Sequence, residues 1–265
     1  MYDFEYVKPS ALEEAGRILS EDDAAKAIAG GMTFIPVLKQ RFSQPSVVVD
    51  LSGLGLSYIR QEGDTLVIGA MTPHGVVAAS PIVQQAIPAL AYLAGHIGDR
   101  QVRYRGTIGG SLANNDPSAC YPSAVLALDA IIRTDRRNIT ADDYFQGMFT
   151  TALEPGELVT EVRLPVAERA AYVKFPSQAS RYALVGVFAA KTAAGARLAV
   201  TGAGQDGVFR HRAFEEALEK SFNASSLDGI DTPIDMMNSD IHAGAAYRAH
   251  LVGVIARRAV DIANA

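Results

Sequence analysis

Only one cysteine, Cys120, occurs among the 265 residues. A single thiol excludes an internal disulfide, and it excludes a zinc or iron–sulfur cage inside this chain, because each such cluster takes four protein ligands. Histidine is scarce too, and the five present (74, 96, 211, 242 and 250) never fall at the HxxxH or HxxEH spacing of a helix-borne metal site. Basic residues are fewer than acidic ones, 24 against 29, for a net charge of -5. No global positive field therefore draws the chain to nucleic acid or to an anionic membrane. No apolar run reaches the ~18 residues that span a bilayer. The opening MYDFEYVKPS has neither the basic start nor the apolar stretch of a secretory signal, so a cytoplasmic address is expected.

What is present is a globular composition, 49% hydrophobic and 20% charged, on a chain long enough for two modest units. FEYV reads as a short strand, Ser10 to Glu13 as a capping box opening a helix, AKAIAG as a strand and MTFIPVLKQRF as a second helix before the buried strand VVVDL. That is an α/β lobe over about residues 1–55. A second lobe, residues 56–168, starts with the hairpin LSYIRQEGDTLVIGA around Glu62, Gly63 and Asp64. Short proline-punctuated helices follow, then a loop at 105–122, a helix at SAVLALDA and strands at AIIRTD and ELVTEVRLP. After the linker PVAERA, residues 169–265 read as an antiparallel sheet with helices, giving an α+β fold class for the whole.

Two glycine pairs stand out. Ala29, Gly30, Gly31, Met32 and Thr33 lie between a strand and a helix, where paired glycines let an anion reach the free amides of the helix start. A tight turn alone would also account for them. Thr107, Ile108, Gly109, Gly110 and Ser111 repeat the arrangement with hydroxyls at both ends, and Asn114, Asn115 and Asp116 follow. Both segments could grip one diphosphate. A third glycine run, 202–207, has the letters GxGxxG but sits in an antiparallel context, so it is not a nicotinamide site. His74, near a helix start, reads as a surface cap.

In order and spacing, AGGMTFIPVLKQR and VRYRGTIGGSLANNDPSACYP resemble the signatures of the FAD-binding medium subunits of the molybdenum hydroxylases, the family of carbon monoxide dehydrogenase, xanthine dehydrogenase and aldehyde oxidoreductase. The likeness runs over nearly the whole chain. It implies a two-lobed PCMH-type fold, like that of vanillyl-alcohol oxidase, over residues 1–168, and a small C-terminal domain over 169–265. It also implies FAD held by residues 29–33 and 107–111, with Ile97, Leu153, Lys174 and Tyr182 matching further cofactor contacts. Cys120 stands where the family often has an aspartate, so Asp116 becomes the candidate acceptor for cofactor hydroxyls. No catalytic residue and no metal ligand is expected in this chain.

The same resemblance implies partners. These are a large molybdopterin-binding subunit and a small subunit with two [2Fe–2S] clusters, arranged as a dimer of heterotrimers, with an external electron acceptor. The alternatives are a free-standing flavin oxidoreductase of the same fold and a flavin-binding subunit without turnover.

Overall fold

A computed structural model describes all 265 residues. The first lobe is built from β1 (Glu5–Val7), α1 (Leu12–Glu21), β2 (Lys26–Ile28), α2 (Phe34–Lys39) and β3 (Val47–Asp50). Its three strands form a parallel sheet in the order β1-β3-β2. Val49, with no exposed surface, lies in the middle strand and packs with Ala15 of α1. The capping box does not form. The helix starts one residue later than its letters suggest, so Ala11 occupies the cap without a side-chain bond. Glu13 and Glu14 in the first turn instead set negative charge against the helix's free amides.

The second lobe opens with the hairpin β4 (Ile59–Glu62) and β5 (Thr65–Gly69), whose register pairs Glu62 with Thr65. Its helices are α3 (His74–Ala79), α4 (Pro81–Ala86), α5 (Pro88–Gly95), α6 (Arg100–Arg105), α7 (Ile108–Asn114) and α8 (Tyr121–Ala127). The chain continues through β6 (Ile131–Thr134), β7 (Asn138–Thr140), α9 (Ala141–Tyr144), β8 (Phe145–Gly147), β9 (Thr150–Thr151) and β10 (Val159–Pro165). Five of the strands form one sheet, β4-β5-β10-β6-β7, with β10 antiparallel to both neighbours.

The expected loop at 105–122 is helical over much of its length. Thr107 caps α7, its hydroxyl accepting from the Gly110 N–H at 3.1 Å. Of the two glycines that disguise this helix, Gly109 is there for packing. A Cβ on Gly109 would stand 2.5 Å from the Ala70 Cβ, so only glycine lets the helix approach the end of β5 this closely. α6 is capped by Asp99, whose carboxylate accepts from the Val102 N–H at 2.8 Å.

The remaining chain forms β11 (Arg169–Pro176), β12 (Ala183–Thr192), β13 (Gly195–Gly204), β14 (Gly207–Arg210), α10 (Arg212–Lys220) and α11 (Ala245–Asn264). The strands pair antiparallel in sequence order. One face of this sheet buries Val185, Val187, Leu198 and Val200 together with Phe214 of α10 and Val252, Ile255 and Ala256 of α11. The other face sends Tyr172, Phe188, Ala190 and Ala199 into the same core as Leu90 of α5 and Val125 of α8. The connection from β10 is pinned on both sides, by Val166 N–H to the Asp64 carbonyl and by Glu168 N–H to the Lys191 carbonyl. The GxGxxG letters fall at the β13–β14 turn, where Gly204 pairs with Gly207. No helix is long and apolar enough to cross a membrane.

Candidate functional site

A cleft of about 830 Å³ runs between the two lobes, and residues 179–182 of the connection between β11 and β12 also line it. The residues singled out from the sequence line it except Ile108, which is fully buried in the core of the second lobe, and Asn115, whose buried side-chain amide donates to the Gly147 and Thr150 carbonyls. At the centre the two glycine segments touch. A side chain on Gly30 would collide with the Arg105 carbonyl oxygen, and a Cβ on Gly110 would lie 3.5 Å from that of Ala29.

The segments differ in what they offer. Between β2 and α2, the backbone N–H groups of Gly30, Gly31, Met32 and Thr33 make no hydrogen bond within the protein, and α2 has no side-chain cap. Gly31, at φ +72, turns the chain to present them. In the second segment the four amides from Ile108 to Ser111 are already committed. Ile108 donates to the Thr72 carbonyl at 3.2 Å, Gly109 to that of Ala70 at 2.9 Å and Ser111 to that of Thr107 at 3.0 Å. Free amides thus come mainly from residues 29–33, the Thr107 N–H being the one amide of the second segment without a partner. The second segment contributes the hydroxyls of Thr107 and Ser111 and a flat glycine surface at Gly110.

Farther along, Ile97 and Leu153 are half-buried apolar walls. Lys174, on β11, is not a solvated strand lysine. Its ammonium donates to the His96 carbonyl at 2.6 Å and the Arg181 carbonyl at 3.0 Å, and lies 3.7 Å from Cys120 Sγ. Arg103 holds the loop before α6, donating to the carbonyls of Ile97 and Gly98. Cys120 is buried. Tyr182 keeps 51% of its surface exposed, so it is no core tyrosine, and its ring is available to cover a ligand. Burial, then the charges of Asp116 and Cys120, raise its phenol pKa.

Asp116 has no cationic partner. Burial raises its carboxyl pKa and the Ser118 N–H, at 2.8 Å, partly offsets this, leaving acceptor capacity turned to the cleft. His74 is not a surface cap. It is buried in the cleft wall because α3 is wedged among α4, α5 and α6. Ile28, Phe34, Val37, Met71, Val102 and Leu158 complete an apolar lining that the sequence did not single out. Nothing in their letters separates a cleft wall from a core face.

These features fit FAD. Unpartnered amides beside glycines suit a diphosphate, hydroxyls and a cation-free carboxylate suit sugar hydroxyls, and apolar walls with an exposed tyrosine suit flat rings.

The sequence model described as "FAD binding domain in molybdopterin dehydrogenase" matches residues 2–167. The nicotine 6-hydroxylase medium subunit of Paenarthrobacter nicotinovorans is 34% identical over 98% of this chain and 97% of its own. The carbon monoxide dehydrogenase medium chain of Afipia carboxidovorans is 33% identical over 99% and 97%. Among solved structures, carbon monoxide dehydrogenase from Hydrogenophaga pseudoflava superposes with a TM-score of 0.89 at 33% identity, covering 99% of this chain and 97% of that one. Quinoline 2-oxidoreductase from Pseudomonas putida 86 gives 0.88 at 29% identity, covering 99% and 97%. The chain therefore belongs to the FAD-binding medium subunits of molybdenum-hydroxylase-type complexes and is an oxidoreductase subunit.

Proposed function

We propose that this chain carries electrons from the iron–sulfur clusters of a small partner subunit to an external acceptor, while the organic substrate reacts in a large molybdopterin-binding subunit. Bound FAD supplies a centre that accepts and releases electrons one or two at a time. The chain's own residues bind and orient it. Residues 29–33 hold the diphosphate through free amides, Thr107 and Ser111 add hydroxyls, and Asp116 accepts from sugar hydroxyls. Lys174, fixed by two carbonyls, stands as the cation nearest Cys120, and Tyr182 covers the ring system and keeps water off it.

The supporting observation is that the cleft draws on both lobes and on the start of the C-terminal part, with Lys174 and Tyr182 lying beyond the stretch matched by the family model. A nucleotide cradle alone would not need the C-terminal sheet. The division at 168/169, the cytoplasmic location, the two [2Fe–2S] clusters and a dimer of heterotrimers belong to the same proposal. Tagged chain purified from its native host tests it. FAD and the two partner subunits are expected together. A homogeneous lone chain that oxidises a small molecule by itself would instead establish the free-standing flavin oxidoreductase.

A further inference from the structure

His74 takes no part in the function outlined above, yet it lies at the junction of the glycine segments. Its backbone N–H donates to the Gly106 carbonyl at 2.9 Å. Its ring fills the space a Gly106 side chain would need, since a Cβ there would stand 2.5 Å from Nε2. The Gly106 backbone, with φ near -62, is open to any residue, so glycine is required there by the imidazole. Gly106 in turn backs onto Gly30, where a Cβ would come within 2.9 Å of the Gly106 Cα. The ring is thus packed under the contact between the two segments, in the wall of the cleft.

The residue is 5% exposed, and neither ring nitrogen has a hydrogen-bond partner in the protein; Nδ1 is fully sealed. Around it stand the Tyr121 ring, with centroids 5.3 Å apart, and the Arg103 guanidinium. Burial first and Arg103 second lower its pKa to about 4, so the imidazole is neutral at physiological pH. A neutral ring carries one N–H. No acceptor faces Nδ1, which leaves Nε2, the nitrogen beside Gly106, as the useful place for the proton.

We propose that His74 is a further binding residue for the dinucleotide, donating its Nε2–H to a diphosphate oxygen where the two glycine segments meet. This rests on the reading of the cleft as an FAD site. An uncharged donor suits the position: it adds a bond to the anion beside the residue 29–33 amides and leaves no bare positive charge in the wall when the cofactor departs.

The full-length chain, stripped of flavin, tests this by titration with FAD, followed by flavin fluorescence, and by titration with ADP, which carries the diphosphate without the flavin. His74→Gln keeps a donor at the Nε2 position, whereas His74→Met has nearly the same length and none. The Gln variant is expected to bind FAD within ~3-fold of the unaltered chain and the Met variant about 10- to 100-fold more weakly, with the same loss for ADP. The stripped variants should melt together. Undiminished FAD binding by the Met variant overturns the assignment, as does an equal loss in both variants, which marks a packing role. A loss for FAD but not ADP places the contact away from the diphosphate and also overturns it. If the unaltered chain fails to bind FAD at all, the functional reading itself falls, and the donor with it.

Discussion

Gly30 and Gly110 sit in neighbouring segments and carry opposite constraints. A methyl on Gly30 has nowhere to go, because it meets backbone, the Arg105 carbonyl, and the two segments must part to admit it. A methyl on Gly110 meets the Thr107 Oγ1 at 2.9 Å and can push that hydroxyl aside. Losing this cap costs about 1 kcal/mol, and replacing glycine by alanine inside a helix returns about the same. Gly30→Ala is therefore expected to weaken FAD binding by at least ~10-fold and to lower the melting temperature. Gly110→Ala should leave the melting temperature within a few degrees of the unaltered chain. Thermal melts and FAD titrations of both variants check the pair, and equal behaviour would refute the contrast drawn from their neighbours.

Among the elements, β10 concentrates the buried charge. Glu161 is 3% exposed and receives the Tyr58 hydroxyl at 2.7 Å, Arg60 at 3.0 Å and Arg163 at 3.0 Å. Burial pushes its pKa up, but these bonds outweigh it and hold the carboxyl at about 2. Glu157, just before the strand, is likewise held at about 2 against burial by Arg137, the Glu154 N–H and Thr134. In the unfolded chain both titrate near ~4.3, so between these values the unfolded state binds more protons. Stability is then full above pH ~4.3 and drains away as pH falls toward about 2. Thermal unfolding across that interval should show the fall. Glu161→Gln should start less stable, with its arginines unmatched, and decline less steeply.

The same scale shows what the letters carried. Strands β5, β12 and β13 are largely apolar runs whose identity is written locally, and so is the Gly63–Asp64 turn. α6 and α7 were not legible. α6 has no fully buried residue and is held by the Asp99 cap and by tertiary bonds from Arg103. In α7 the paired glycines speak against a helix; the nearness of Ala70 explains Gly109, and Gly110 faces Thr107 and Ala29. The cleft residues were legible as a set because two motifs marked them. The burial of His74 and the commitment of the residue 108–111 amides depend on neighbours distant in sequence.

At the scale of the whole molecule, the C-terminal sheet is sequestered on both faces. α10 and α11 cover one face with residues from its own part of the chain, while Tyr172, Phe188, Ala190 and Ala199 on the other join the core of the second lobe. Lys174 adds a polar tie across the same boundary through the His96 carbonyl. A fragment comprising residues 169–265 would expose that second face to water, and burying a large apolar side chain is worth roughly 1.5–3 kcal/mol. Tyr172 and Phe188 alone thus represent a sizeable part of the roughly 5–15 kcal/mol by which a domain is stable. The fragment is expected to bind a hydrophobic dye and to lack a cooperative melt, whereas the full chain should unfold in one transition. A sharp, dye-free melt of the isolated fragment would show that the first face suffices, and that the shared core joins two independently stable parts.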